Sequence, residues 1–123
     1  MLSTEMLEAT EDFARAVRQS PAVVAYHAAR AAFEADQQAQ ALMAELRLAQ
    51  QAFVAAQQRG ETILPEITEA LRARQAEVRG SEVIMAHLRT TNDIKAFLPR
   101  VAAEVTRSLG TDYAKLIAPS GCC

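Results

Sequence analysis

From Asp36 to Arg59 the chain contains neither glycine nor proline, and Leu42, Leu46, Ala49, Phe53 and Ala56 recur there at alternating steps of four and three. An α-helix brings residues with that spacing onto one side, so the segment predicts a long helix with an apolar stripe. Leu48, Ala52 and Ala55 add a second apolar line beside the first. An apolar arc that wide is expected to pack against two neighbours. Asp36 offers a capping oxygen at the start of this helix, and Gly60 is its natural stop.

The same period runs through the rest of the chain. Leu2, Met6, Ala9, Phe13 and Val17 step by four, three, four and four, which predicts a first helix from about Ser3 to Gln19 whose stripe faces a partner. Ser20-Pro21 reads as an N-cap followed by proline at the first helical position. It opens a second helix, lined by Ala22 or Val23, Tyr26, Ala29 and Phe33 and ending near Ala35. Glu61 to Leu64 form a short loop before Pro65 opens a fourth helix, with Ile67, Leu71 and Val78 on its inner face. At Gly80-Ser81 the sequence permits a true break capped by Ser81 or a continuous helix weakened by glycine; the weak point or kink is the expectation. Ile84, Leu88, Thr91, Ile94, Leu98, Val101, Val105 and Leu109 carry the stripe to Gly110, with Thr91-Asn92-Asp93 as an alternative cap. Pro99 removes one helical hydrogen bond and clashes with the preceding turn, so it predicts a bend or a restart between residues 95 and 99. Residues 1–110 are thus expected to form one helical domain, and residues 111–123 a flexible tail ending in Cys-Cys.

Composition turns this pattern into a fold class. A length of 123 residues leaves room for one domain. Of its 62 apolar residues 26 are alanine, which leaves 36 larger apolar side chains to build a core. Burial supplies roughly 25 cal/mol per Å², against about 1 to 2 kcal/mol for each ordered residue, so alanine-rich helices gain by packing closely or by pairing with another chain. Four glycines, four prolines, no tryptophan and 5% aromatic residues argue against a β-sandwich, a collagen-like repeat or a disordered tail protein. The expected architecture is all-α: an antiparallel helical bundle with one long central helix, assembled as a homo-oligomer, dimer or larger.

Thirteen basic and fifteen acidic residues give a net charge of −2, so there is no overall field to hold a polyanion, and direct nucleic-acid binding is not expected. The apolar runs are short, and the first twenty residues carry Glu5, Glu8, Glu11 and Asp12. These features predict neither a membrane span nor a signal peptide, and a cytoplasmic location.

Catalytic constellations do not emerge from the spacing. His27 and His87 follow Val24 and Ile84 by three positions, so neither belongs to a Glu-x-x-His pair of the kind that builds di-iron bundles. Neither lies in a His-Glu-x-x-His zinc helix, and the glycines stand too far apart for a phosphate-cradling loop. Each histidine reads as an ordinary surface or interface imidazole, with a functional role as the alternative because histidine titrates near physiological pH. No catalytic or cofactor-binding residue is assigned, and an enzyme using His27 or His87 is the least favoured reading. Arg72, Arg74, Arg79 and Arg89 form a basic stretch interrupted by Glu77 and Glu82. It is either a docking patch for an acidic partner or a solvated helix face, and it lacks the interleaved aromatics that base stacking needs. Tyr26, Phe33 and Phe53 are assigned to the core.

Cys122 and Cys123 are adjacent, so they cannot staple the fold into a closed loop. Thiolates bind soft metals and iron-sulfur clusters, which makes these two the candidate metal ligands. Two neighbouring thiols do not complete a four-thiolate site, and a cluster here needs ligands from another chain. An exposed redox pair or an inert end are the alternatives.

The spaced series Phe13, Val17, Ser20 and Tyr26 is followed by Asp36 opening a helix through Leu42, Phe53 and Gln57 to Gly60. Leu71, Val78 and Val83 come next, then Leu98, Val101 and Val105 leading to Gly110. Over about residues 5–112 this pattern resembles the YlbF/YmcA family of small helical bacterial regulators. The resemblance implies an all-α protein with one long central helix, commonly self-associated and without enzymatic activity of its own. In that family YlbF and YmcA join a third protein, YaaT, in a complex that influences competence, sporulation and biofilm formation and is associated with RNA processing by RNase Y. The complex carries iron-sulfur clusters, and YlbF-like members can have a cysteine-rich tail after the last helix. Cys122 and Cys123 occupy the corresponding place in a shorter, cysteine-poorer tail, so the resemblance implies at most a cluster shared with another chain and no cofactor required by this chain alone. It also implies a hetero-complex with related helical regulators. The second functional reading is a purely structural self-associating bundle with inert cysteines.

Overall fold

The computed structural model describes residues 1–110. They form five helices: α1 (Thr4–Arg18), α2 (Pro21–Ala35), α3 (Gln37–Gln58), α4 (Pro65–Arg79) and α5 (Glu82–Leu109). The protein is all-α, and no described helix is long and apolar enough to cross a membrane. The expected flexible tail lies outside the described residues.

Local chemistry sets most of the boundaries. The Ser3 hydroxyl accepts the Met6 N–H at 3.1 Å and starts α1, satisfying one of the amide donors that a helix start leaves free. Asp36 is the single residue between α2 and α3; its carboxylate accepts the Ala39 N–H at 3.0 Å. Across that joint the Gln40 side-chain amide donates to the Phe33 carbonyl at 3.0 Å, tying the two helices together. Gly60 follows the last turn of α3 with a φ of 69°, the left-handed conformation that glycine adopts without a Cβ penalty. Pro65 then begins α4, as its fixed φ favours.

Several expectations are corrected. Ser20 occupies the N-cap position of α2 but makes no side-chain cap bond; its hydroxyl donates back to the Ala16 carbonyl at 3.0 Å, and Pro21 alone pre-sets the helix start. Gly80-Ser81 is a true break rather than a weak point. Ser81 adopts an extended conformation and its hydroxyl accepts the Ile84 N–H at 3.3 Å. Of the bend or restart expected at Pro99, the restart does not occur: α5 runs through it to become the longest element, at 28 residues against 22 for α3. Lys95, Leu98 and Pro99 are all exposed, so the Lys95 carbonyl that loses its amide partner lies on a wet face, where the loss is small. The alternative cap at residues 91–93 also gives way to helix, and the Thr91 hydroxyl donates to the His87 carbonyl at 2.7 Å.

α5 packs chiefly on α2, and α3 chiefly on α4; slighter contacts join α4 to α5, α2 to α3 and α1 to α2. The core cluster is Ala39, Leu46, Val78 and Ile84, surrounded by Phe33, Leu42, Met43, Leu71 and Val83. Ile84 is the most deeply buried of these, at 1% exposure, because the break at Gly80-Ser81 lets α5 set off in a new direction with Ile84 facing inward. The α3 stripe from Leu42 to Ala56 is buried or half-buried as its spacing predicts, and α3 meets two neighbours, α4 and α2. Of the expected second line only Ala55 is half-buried: Leu48 is 65% exposed and Ala52 faces solvent.

Candidate interaction surface

The two histidines sit on either side of Tyr26. His27 is exposed, with its ring edge-on to Tyr26 at 5.6 Å between centroids. His87 is half-buried against α2, stacked on Phe33 at 4.8 Å and near Tyr26 at 6.2 Å. Its Nδ1 is buried without a hydrogen-bond partner among the described residues, while its carbonyl accepts the hydroxyls of both Thr90 and Thr91. Tyr26 and Phe33, assigned to the core from sequence, are half-buried on the face that α2 turns toward α5. The arrangement is a packed aromatic layer, and no ion pair to either imidazole occurs among the described residues.

Two of the four arginines of the basic stretch are charge-paired. Arg74 reaches Glu45 of α3 at 2.7 Å and Glu77 at 3.3 Å, and Arg89 lies 3.8 Å from Glu82. Arg72 and Arg79 are solvent-exposed. Among the described residues no group of three or more His, Cys, Asp or Glu side chains could hold a metal ion; Cys122 and Cys123 lie outside them.

An uncommitted apolar surface lies elsewhere. α1 has no buried residue, and Leu2, Met6, Leu7 and Phe13 are all about half-exposed. Between α1 and the C-terminal half of α5 runs a groove of about 1260 Å³. Ala9, Phe13 and Val17 form one apolar wall, and Phe97, Val101 and Val105 form the other. Ser20, at the joint between α1 and α2, also lines the groove, as do Ser108 and Leu109 near the end of α5. The α1 wall is the stripe predicted to face a partner. The α5 wall was not anticipated as a site, although Phe97, Val101, Val105 and Leu109 hold helical spacing beyond Pro99 and were the available signal.

Residues 6–110 match the family described as "Control of competence regulator ComK, YlbF/YmcA". The chain is also similar to UPF0342 protein DSY1594 of Desulfitobacterium hafniense (strain Y51), with 25% identity over 111 residues that cover 90% of this chain and 85% of the relative. No solved structure matches it.

Proposed function

The chain belongs to the YlbF/YmcA family of competence-regulator-related helical proteins, and from that membership we propose that it is a non-enzymatic regulatory adaptor acting by helix-to-helix association. One observation carries the reading: among the described residues α1 has no fully buried side chain, and with α5 it borders an open apolar groove. Removing such surface from water contributes roughly 25 cal/mol per Å², a gain that covering by another polypeptide supplies. The proposed partners are further copies of this chain and related helical regulators, in a cytoplasmic pathway of the competence, sporulation, biofilm and RNase Y type. In this reading Cys122 and Cys123 lend two thiolates to an iron-sulfur cluster completed by other chains. The described residues provide no ligand set to complete it, so association itself is assigned no step through the cluster.

Sedimentation over a range of concentrations, with affinity capture of the intact protein from its own cells, tests the proposal. The expected result is a concentration-dependent oligomer that retains helical regulators. A single-chain species at every concentration that captures nothing overturns it. Anaerobic purification tests the cluster separately: iron retained by the wild-type complex and lost in the Cys122→Ser, Cys123→Ser double variant supports it. Iron-free protein, alone and with its partners, removes the cluster and leaves the adaptor standing.

A further inference from the structure

We propose that residues 111–118 of the same chain fold back from Gly110 and seat in the groove between α1 and the C-terminal half of α5, an intramolecular plug that a partner must displace. The seat stands on the groove itself; its action as a brake rests on the association reading. Chain path is the first reason. Ser108 and Leu109 line the groove, so residue 111 starts at its rim. Gly110 has a φ of 73°, and its N–H donates to the Thr106 carbonyl at 3.0 Å. This is the left-handed motif that ends a helix and turns the chain off its axis. A segment tethered so close has an effective concentration on the order of millimolar, which places it at the groove ahead of a separate chain at micromolar levels.

Length and polarity also fit. From Leu109 back to Phe97 the α5 wall extends about 18 Å. Residues 111–118, Thr-Asp-Tyr-Ala-Lys-Leu-Ile-Ala, cover about 12 Å as a helix and about 26 Å fully extended, which brackets that length. Tyr113, Leu116 and Ile117 supply large apolar side chains to set against Phe13 and Val17 on one wall and Val101 and Val105 on the other. Pro119-Ser120-Gly121 then closes the apolar run. Charge order agrees as well. Backward along α5, Arg107 precedes Glu104; forward along the segment, Asp112 precedes Lys115. A chain doubling back therefore brings Asp112 to Arg107, and Lys115 to Glu104, the acidic residue of the groove wall. Glu104 and Arg107 pair with each other, exposed and within one turn, and such pairs exchange at little cost. Arg100, the other charged lining residue, is exposed and keeps its guanidinium in water.

The chain contains no tryptophan, so Tyr113→Trp in the full chain supplies a single indole that reports on the seat. Its emission is expected to be blue-shifted, and its quenching by acrylamide several-fold below that of the urea-unfolded chain, equally at every protein concentration. Phe13→Asp and Leu109→Asp, at groove positions 49% and 61% exposed, are expected to return both signals to those of an indole in water, with circular dichroism unchanged. Leu48→Asp, at an exposed position of α3 outside the groove, is expected to leave them as they were. A water-exposed indole in the parent Tyr113→Trp chain overturns the proposal, as does a shielded one indifferent to both groove variants. Shielding that disappears on dilution, in step with an oligomer seen by sedimentation, puts the segment on another copy and overturns the intramolecular seat while sparing association. The brake is read separately in the Leu116→Asp, Ile117→Asp double variant, which is expected to associate about tenfold more tightly, the equivalent of a seat worth about 1.4 kcal/mol. Unchanged association in that variant, with the parent indole shielded, overturns the brake alone. A parent and a variant that both associate with nothing overturn the association reading, and the brake with it, and leave the seat.

Discussion

The imidazole of His87 lies nearly parallel to the ring of Phe33, with centroids 4.8 Å apart and planes inclined by 9°, and this stack joins α5 to α2. Among the described residues its buried Nδ1 has no hydrogen-bond partner, and an unsatisfied buried polar atom costs about 1 to 3 kcal/mol. His87→Phe keeps a flat ring in the layer and removes that atom. Thermal unfolding is expected to shift upward by about 4 to 8 °C for each kcal/mol regained. A lowered midpoint counts against the idea that Nδ1 is a liability.

Helix caps differ in worth according to where their oxygens point. Asp36→Ala and Ser81→Ala each remove an acceptor from a helix N-terminus and are expected to cost about 1 kcal/mol. Ser20→Ala removes a hydroxyl that serves α1 rather than α2, and is expected to fall within about 0.5 kcal/mol of wild type. Urea midpoints of the three variants decide the matter, and equal losses at all three positions contradict it.

Burial predicts a sharp contrast between two large aliphatic residues. Ile84→Ala empties a site only 1% exposed and is expected to cost about 2 to 5 kcal/mol. Leu48→Ala, at a position 65% exposed, is expected to change stability by no more than about 0.5 kcal/mol. A large loss at Leu48 in dilute protein would place α3 against a neighbour on its outer face.

Gly60 and Gly80 are expected to respond oppositely to alanine. At Gly60 a Cβ meets nothing within 4 Å, but φ is +69°, so the whole cost is left-handed backbone strain of about 1 to 2 kcal/mol. At Gly80 the backbone is right-handed helical, and the added Cβ makes ordinary contacts of 3.5 and 3.6 Å. There alanine is expected to stabilise by about 0.4 to 1 kcal/mol through the unfolded chain. Chemical denaturation of both variants reads the sign directly.

The features legible from sequence are those governed by near neighbours. Ser3, Asp36, Gly60 and Pro65 act within one turn, and the Leu42 to Ala56 stripe reports its period without reference to any partner. Gly80-Ser81 is different, because both a break and a continuous helix satisfy local rules. The choice follows from placing Ile84 and Val78 in one core, which is a tertiary matter. Leu48 reads as apolar at helical spacing, yet which of two adjacent lines turns inward depends on where α4 lies. Pro99 misleads for a related reason: one missing bond on an exposed face of a 28-residue helix is outweighed by the bonds around it. The α1 wall of the groove is therefore readable as a partner-facing stripe, and Val101, Val105 and Leu109 of the α5 wall are readable as a stripe but not as the other side of a groove. Nothing in the spacing of residues 33 and 87 foretells their stack.

The core cluster and the groove share no residue. Genetic damage to this protein should accordingly sort into two phenotypic classes. One class lowers abundance in the cell, through substitutions such as those at Leu46 or Ile84. The other, at Phe13 or Val101, leaves a normal amount of protein that has lost the proposed association.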